Sequence, residues 1–456
     1  MINQRSIALA LSLLVSGCAS YGVVENAPLG ASAPAKEYSL RAWTVGDRGW
    51  SQPNEFDLEL DLAFSGGGTR AAAFSYGVLK ALRDTRVMID GKPTRLLDEI
   101  DGITSVSGGS FTSAYYGLHG DKIFTDFEDA FLRRNVEDAL KAKLFNPLRW
   151  FGTTGRTEWT VQYYQEHIFH GATFADMIGP GRPMVLINAS DLGYGTRFSF
   201  VQEYFDLLCS DLSSFPVARA VVASSAVPIL FHPIVVKNHA GCDSGPPEWL
   251  LAAKRRAADN AQLTLVVDEL GTYFDKEERK YAHFVDGGIT DNLGLHALFE
   301  IVEVSGGAQA YLKDFQQPVP RRMVLIVVDA STKPERTMDQ SDKQPSLMET
   351  VDAMSDIQLH RYNVATIELT KASMAHWAKA MSTPQRPVTP YFIYVNFRDV
   401  EDPAEQEYFN QVPTGLKLTD EQVDRLIEVA GELLSGNSEF RRLVSDLGES
   451  GSSRKR

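Results

Sequence analysis

The feature that most constrains the fold is an apolar run that ends in three consecutive glycines. Phe56 to Phe64 has the length and apolar character of a buried β-strand, and Gly66, Gly67 and Gly68 follow almost at once. Thr69 to Arg83 is rich in alanine and has the pattern of a helix. A strand that turns through glycines into a helix is the first half of a β–α–β unit, which predicts a parallel sheet.

The same alternation continues along the chain. Short apolar runs recur between helical patterns, which predicts an α/β fold with a mostly parallel central sheet and helices on both faces. The segments 120–177 and 332–390 are expected to be helical additions to the sheet. The further predicted strands are Ile100 to Val106, Pro183 to Ala189, Leu263 to Val267, Tyr281 to Val285 and Met323 to Val328.

Composition narrows the classes of partner and cofactor. The 456 residues carry a formal net charge of −14 and no strongly basic tract, which argues against nucleic acid as the main partner. The hydrophobic content of 44% is enough to fill a core. The cysteines and histidines do not have the spacing of a zinc site, so we expect no metal and no cofactor.

The first residues have the pattern of an export signal. Arg5 precedes an apolar run, Ile7 to Val15, that is too short to span a bilayer. The run leads into Cys18 in a pattern that resembles the lipobox of bacterial lipoproteins, which implies a signal peptide over 1–17 and a lipid anchor on Cys18. By the same resemblance, Ala19 favours the outer membrane, facing the periplasm. The alternative is an ordinary secretory peptide with an incidental cysteine.

The rest of the chain divides into four parts. Residues 18–55 contain many small residues and prolines and are expected to be a tether. A folded core is expected over 56–330, and a C-terminal extension packed on that core over 331–447. The small, basic tail 448–456 is expected to be disordered.

Two local features can also be predicted. Cys209 and Cys242 could form a disulfide, because bridges persist in exported proteins; the alternative is two unpaired buried thiols. In the extension, Thr419 and Gln422 have the spacing of a capping box that begins a helix, and Gly436 is expected to end that helix.

Two further turns carry residues capable of chemistry. Ser107 follows the predicted strand Ile100 to Val106 and precedes Gly109 and a helical stretch. This is close to the nucleophile elbow Gly-x-Ser-x-Gly, in which a strained strand-to-helix turn exposes the serine hydroxyl. Ser105 replaces the first glycine of that motif, which a small residue permits. Asp286 follows a predicted strand and precedes Gly287 and another glycine, so its carboxylate can face an open cleft.

The glycine turn at Gly66 to Gly68 supplies a third element. Backbone N–H groups exposed at the start of a helix stabilise negative charge, either as an oxyanion hole or as a phosphate cradle. No phosphate-binding motif such as Gly-x-x-x-x-Gly-Lys-Ser/Thr is present, which favours the oxyanion hole.

Together these blocks resemble the patatin-like phospholipase family, which carries a glycine turn with an arginine, then a serine elbow, then Asp-Gly-Gly/Ala. The resemblance covers about Phe56 to Val328, although Leu293 stands where the family usually has proline. The matching residues are Gly66, Gly67, Gly68, Arg70, Ser107, Gly109, Asp286, Gly287 and Asn292, with the Ala/Ser-rich block Ala223 to Pro228.

The resemblance implies a patatin-like three-layer fold and a lipid acyl hydrolase that uses a Ser–Asp dyad. Ser107 would be the nucleophile and Asp286 its base, without a metal. Gly66 to Gly68 would hold the oxyanion, and Arg70 would hold the glycine loop or neutralise nearby charge, unless it is a surface residue paired with a carboxylate. The expected substrate is a phospholipid or another lipid ester.

Three alternatives remain open from the sequence. His296 lies after Asp286 in the order of a Ser–Asp–His triad. The protein could instead be a lipid-anchored, non-catalytic member that binds lipid or a partner protein. It could also be an acyltransferase that uses the same acyl-enzyme.

Overall fold

The computed structural model describes residues 22–30, 36–47, 50, 57–89, 91–136, 138, 155–228, 230–241, 245–333 and 337–453. The strands are β1 Ala27–Pro28, β2 Leu58–Phe64, β3 Arg86–Ile89, β4 Lys92–Arg95, β5 Gly102–Val106, β6 Met184–Asp191, β7 Arg197–Ser199, β8 Ser210–Asp211, β9 Ile234–Lys237, β10 Tyr281–Val285, β11 Arg322–Asp329 and β12 Thr389–Asn396. The helices are α1 Leu40–Val45, α2 Gly68–Asp84, α3 Gly108–His119, α4 Ile123–Phe127, α5 Arg156–His167, α6 Gln202–Leu207, α7 Val217–Ser225, α8 Glu248–Arg256, α9 Ala261–Gly271, α10 Gly288–Asp291, α11 Leu295–Ser305, α12 Ala308–Asp314, α13 Leu347–Met381, α14 Pro403–Asn410, α15 Asp420–Gly436 and α16 Ser438–Ser453.

The central sheet is mixed but mostly parallel, as predicted. Its strands lie in the order β12-β11-β2-β5-β6-β10-β9, and β7 pairs with β6 outside this path. The five strands from β12 to β6 are mutually parallel. Strand β10 runs antiparallel to both β6 and β9. The sheet is therefore parallel through its centre and antiparallel at one edge.

Helices cover both faces of the sheet, which confirms the predicted three-layer arrangement. Successive residues of a strand point to opposite faces. Leu62 and Ile326 accordingly belong to a core that also contains residues of α2, α3 and α15. Ala63 and Val327 belong to a second core with residues of α11, α12 and α13. Central strands buried on both faces explain why their sequences are continuously apolar.

One predicted strand is wrong. Leu263 to Val267 lies inside α9, which begins after Asn260, whose side chain accepts a hydrogen bond from the Leu263 N–H. The buried residues Leu263, Val266, Val267 and Leu270 have the spacing of one helical face. The run contains too few residues to distinguish a strand from the apolar side of a helix.

The range predicted as a tether, 18–55, also contains packed structure. Strand β1 pairs with β8, and Tyr38 is fully buried, with its hydroxyl hydrogen-bonded to the Val185 backbone. The described parts of this range therefore belong to the folded core. Its composition is typical of a linker, but a few large or polar side chains anchor the segment to the core.

The N-terminal and cysteine predictions fall largely outside the described residues. Cys18, the predicted signal peptide and Cys242 all lie outside them. Cys209 is disulfide-bonded. Within the described ranges, no helix has the length and apolar character needed to cross a membrane.

The C-terminal extension packs on the core. The capping box of Thr419 and Gln422 begins α15 as predicted, and the helix ends at Gly436. Helix α15 lies against α2, and a Cβ at Gly77 of α2 would contact the Ile427 carbonyl at 2.5 Å. Helix α16 ends at Ser453 and so extends into the tail that was expected to be disordered.

Candidate active site

Strand register brings the two predicted catalytic residues together. Strand β6 lies between β5 and β10; Val106 pairs with Asn188 on one side, and Val285 pairs with Ser190 on the other. Ser107 and Asp286 are the next residues of their strands, so both lie beside Ala189. The Ser107 hydroxyl donates a hydrogen bond of 2.9 Å to Oδ2 of Asp286.

Ser107 occupies a strained turn between β5 and α3. Its backbone has φ 49° and ψ −119°, a conformation that non-glycine residues rarely adopt. The Ser107 N–H donates to the Ser224 hydroxyl at 2.8 Å, which satisfies a buried donor at the point of strain. The geometry is that of a nucleophile elbow.

The Asp286 carboxylate is buried, and two hydrogen bonds only partly offset the cost of burying its charge. Its Oδ1 accepts a 2.8 Å hydrogen bond from the Gly288 N–H, and its Oδ2 accepts the Ser107 hydroxyl. Burial raises the pKa of Asp286 to about 6, against the lowering effect of these two hydrogen bonds. The carboxylate is thus mainly ionised at neutral pH but is a stronger base than an exposed aspartate.

Close backbone approach explains the glycines around the elbow. A Cβ at Gly109 would lie 2.7 Å from the Phe64 Cβ and 2.8 Å from the carbonyl oxygens of Phe64 and Ser65. A Cβ at Gly287 would lie 2.4 Å from the Asn188 carbonyl oxygen. Because the obstructing atoms are mostly backbone, neither position tolerates a side chain without displacement of the sheet.

The glycine turn lies directly against the elbow. A Cβ at Gly108 would lie 2.0 Å from the Gly68 carbonyl oxygen, so the first turns of α2 and α3 are in contact. The Gly66 N–H donates to the Asn292 carbonyl at 3.0 Å and is therefore not a free donor. In the part of the chain that the structure describes, the N–H groups of Gly67, Gly68 and Gly108 donate to no protein acceptor.

Arg70 fastens the glycine turn instead of reaching solvent. It is 3% exposed, and it donates 2.9 Å and 2.6 Å hydrogen bonds to the carbonyl oxygens of Ala330 and Val412. Burial lowers its pKa to about 10, so it stays charged at neutral pH. The alternative of a surface residue paired with a carboxylate is therefore wrong.

Ser224 is the residue whose place in the site was not predicted. Its hydroxyl donates to the Asn188 carbonyl at 2.6 Å, so its lone pairs must accept from the Ser107 N–H and from the Ser110 hydroxyl, 2.9 Å away. Ser224 belongs to the Ala/Ser-rich block Ala223 to Pro228, but nothing in that pattern predicts a hydrogen bond from its hydroxyl to the elbow.

The other polar candidates have different partners. Ser105 is fully buried and shares a 2.6 Å hydrogen bond with Ser113. The ring nitrogens of His296 face the Thr366 hydroxyl at 3.0 Å and the Gln262 amide at 3.4 Å. Among the described residues, no group of three histidines, cysteines or carboxylates is arranged to hold a metal ion.

Ser107 and Asp286 open into a cavity of about 920 Å³. Its wall also contains Gly66, Gly67 and Arg70 from the glycine turn, together with residues of α9 and α13. Ser107 is 7% exposed, so a molecule must enter the cavity to reach its hydroxyl.

Structural comparison finds distant similarity to human GIVD cytosolic phospholipase A2. One structure is 13% identical with a TM-score of 0.41, and the match covers 96% of this chain and 69% of that chain. Another, in complex with methyl gamma-linolenyl fluorophosphonate, is 13% identical with a TM-score of 0.38, over 88% of this chain and 60% of that chain. This chain thus spans about three fifths of the length of that protein. No curated protein matches the sequence.

The sequence itself matches the profile described as patatin-like phospholipase over residues 62–299. This range is more than half of the 456 residues, and it contains the glycine turn, Ser107 and Asp286. The chain therefore belongs to the patatin-like phospholipase family.

Proposed function

We propose that this protein hydrolyses carboxylic esters of lipids through a Ser107–Asp286 dyad. The observation that carries the proposal is the 2.9 Å hydrogen bond from the Ser107 hydroxyl to Asp286 inside the cavity. Family membership supports a lipid acyl hydrolase at the level of the family. The hydrogen bonds of His296 to Thr366 and Gln262 favour a dyad over a Ser–Asp–His triad.

The first half of the reaction forms an acyl-enzyme. Asp286 accepts the Ser107 hydroxyl proton while Oγ bonds to the ester carbonyl carbon, and the carbonyl oxygen becomes an oxyanion. When the tetrahedral intermediate collapses, the bond to the alcohol oxygen breaks. Asp286 returns the proton to that oxygen, which leaves as a free alcohol such as a lysophospholipid.

The second half releases the fatty acid. Water gives a proton to Asp286 as its oxygen attacks the acyl carbonyl, and the second tetrahedral intermediate expels Ser107 Oγ, which takes the proton back. The products are a carboxylic acid and the original dyad.

We assign the oxyanion hole to the N–H groups of Gly67, Gly68 and Gly108. These donors lack protein acceptors among the described residues, and they lie at the N-termini of α2 and α3, where helix dipoles favour negative charge. One such donor is typically worth about 10²–10³ in turnover. Gly66 instead provides space, because a Cβ there would lie 2.6 Å from the Asn292 amide oxygen and 3.4 Å from the Ser107 Cβ.

Labelling with a fluorophosphonate probe tests the dyad. The probe phosphonylates an activated serine, so wild-type protein should be labelled and Ser107→Ala should not. Asp286→Asn should label at least a hundredfold more slowly. Ser355→Ala is the matched control, because Ser355 lines the same cavity from α13, and it should label like the wild type. Absence of wild-type labelling, or equal labelling of Ser107→Ala, would refute the assignment.

A further inference from the structure

A second cavity lies at the opposite end of the central sheet from Ser107. The glycine turn and Ser107 follow the carboxyl ends of β2 and β5, whereas Leu58, Glu59 and Gly102, at the amino ends of the same strands, line this second cavity. Pro318 lines it and is also exposed, so the cavity reaches solvent there. Its volume is about 140 Å³, and it is called the amino-end cavity below.

The wall of the amino-end cavity combines apolar surface with charge of one sign. Helices α11, α12 and α13 contribute mostly apolar side chains to it. No lysine, arginine or histidine lines the cavity within the described ranges. The aromatic residues of the wall are Trp43, Phe299, Tyr311 and Trp377, and its charged residues are Glu59, Asp61 and Asp101.

Two of these carboxylates stand where the fold predicts apolar side chains. Glu59 and Asp61 lie on β2, a central strand of the parallel part of the sheet, and such strands are usually apolar on both faces. They point to the same face as Ala63, toward α11, α12 and α13. Asp61 extends over Gly102 of the neighbouring strand, where a Cβ would clash with Asp61 Oδ1. The absence of a side chain at Gly102 therefore makes room for the carboxylate.

The charges of these carboxylates are poorly compensated. Asp101 Oδ2 accepts a 2.9 Å hydrogen bond from the Leu60 N–H. In the described part of the chain, the side chains of Glu59 and Asp61 accept no hydrogen bond and pair with no cation. Ionising them together is therefore costly, and a cation placed between them would lower that cost.

The protonation of the wall reflects this cost. Burial raises the pKa of Glu59 to about 7. Burial, and then repulsion by neighbouring carboxylates, raises the pKa of Asp61 well above its ordinary value. Burial also raises the pKa of Asp101 well above its ordinary value, and Glu59 and Glu99 add to this effect against the Leu60 hydrogen bond. Tyr311 is the other titratable group of the wall, and burial raises its pKa well above 10, so it stays neutral.

We propose that the amino-end cavity binds a small amphipathic ammonium ion. Its apolar body would lie among the side chains of α11, α12 and α13, and its ammonium group would donate to Glu59, Asp61 and Asp101. An engineered apolar cavity of about 150 Å³ binds benzene, so the volume suits a single ring or a short alkyl chain. The aromatic faces of the wall also attract a cation.

Charge and geometry exclude the other classes of ligand. A carboxylate or phosphate would be repelled by the wall, and a neutral apolar molecule would leave the carboxylates uncompensated. Among the described residues, no group of three carboxylates, histidines or cysteines is arranged to hold a metal ion. The proposal does not depend on ester hydrolysis, because the site lies at the other end of the sheet.

Three ligands of similar shape test the proposal on the wild-type protein. Benzylamine, benzyl alcohol and benzoate share a ring and differ in charge, and ligand-observed NMR titration gives the Kd of each. At pH 7.5, benzylamine should bind at least tenfold more tightly than benzyl alcohol, and benzoate should bind most weakly. Benzylamine keeps its proton between pH 6 and pH 8, whereas the wall carboxylates lose theirs. Its affinity should therefore rise at least tenfold over this range, while that of benzyl alcohol should not.

Matched variants locate the binding. Glu59→Gln combined with Asp61→Asn keeps the shape of the wall and should weaken benzylamine at least tenfold at pH 7.5, with benzyl alcohol within threefold of wild type. Asp314→Asn removes an exposed carboxylate from α12 outside the cavity, and Glu269→Gln removes one from the active-site cavity. Both controls should bind benzylamine like the wild type.

Several results would overturn the proposal. These are no binding of benzylamine, binding no tighter than that of benzyl alcohol, an affinity that does not rise with pH, or an unchanged affinity in the double variant. An equal loss of affinity in Asp314→Asn would point to the general charge of the protein, and a loss in Glu269→Gln would place the ligand in the active-site cavity. Circular dichroism of the double variant shows that a loss of binding is not a loss of folding.

Discussion

Replacement of Asp286 by asparagine should lower activity strongly and at the same time stabilise the fold. The asparagine amide can keep both hydrogen bonds of the site, because its oxygen can accept the Gly288 N–H and its NH₂ can donate to Ser107 Oγ. The substitution therefore removes only the buried negative charge. Turnover should fall by about 10²–10⁴, the range expected for loss of a general base.

The size of the stabilisation follows from the pKa of Asp286. Burial raises this pKa from its ordinary 3.8 to about 6, so the folded state binds more protons than the unfolded state between these two values. The ionised carboxylate therefore destabilises the folded protein at neutral pH, and this cost disappears as the pH falls through 6 toward 3.8. At about 1.4 kcal/mol per pKa unit, asparagine should raise the free energy of unfolding by up to about 3 kcal/mol at pH 7.5 and about 1 kcal/mol at pH 4.5.

Urea unfolding followed by circular dichroism at the two pH values measures this difference. Other titrating groups are common to both proteins, so the difference between wild type and Asp286→Asn isolates the one carboxylate. Ser107→Ala is the control, because it removes activity while it keeps the buried charge, and it should not show the gain. An Asp286→Asn variant that is less stable than wild type at pH 7.5, or a gain that is the same at both pH values, would refute the reasoning.

Three further predictions concern the same site. On a soluble ester, kcat/KM should fall about tenfold per pH unit below pH 6, because Asp286 must be ionised to accept the Ser107 proton. A stopped assay over pH 4.5–8.5 measures this, and a limb centred above pH 7 would contradict it. Gly109→Ala should lower Tm sharply, because its Cβ would clash with backbone atoms. Gly431 of α15 is the control: a Cβ there would meet only the Ala81 Cβ, at 3.8 Å, so Gly431→Ala should raise stability by about 1 kcal/mol. Equal calorimetric Tm values for the two variants would contradict this. Arg70→Met should cost about 3 kcal/mol in urea unfolding, because two charge-assisted hydrogen bonds to carbonyls are lost, and a change below 1 kcal/mol would show that the arginine does not fasten the turn.

The parts of the site that could be predicted are those that one local segment specifies. A strand, a tight turn and a helix follow each other within a few residues at Ser107 and at the glycine turn. The small residues between strand and helix are therefore enough to predict both turns. Asp286 was predictable for the same reason, as the residue after a strand and before glycines.

The parts that could not be predicted depend on contacts between distant segments. Ser224 lies 117 positions from Ser107, and its hydroxyl could not be matched with one particular backbone N–H from the sequence alone. The local glycine turn predicts that the Gly66 N–H belongs to an oxyanion hole, but this N–H donates to the Asn292 carbonyl, which comes from a later part of the chain. The reversed direction of β10, which is antiparallel to both of its neighbours, could not be predicted for a similar reason, because a short apolar run is compatible with either strand direction.

The contacts that hold the glycine turn in place also determine when the site can form during synthesis of the chain. Arg70 reaches the Val412 carbonyl 342 positions downstream, and the Thr69 N–H donates to the Gly415 carbonyl. A ribosome-bound chain that has not yet been translated to Gly415 already contains Ser107 and Asp286, but lacks an acceptor that holds the glycine turn beside them. The glycine turn therefore cannot be fastened in its final position until most of the polypeptide has been made.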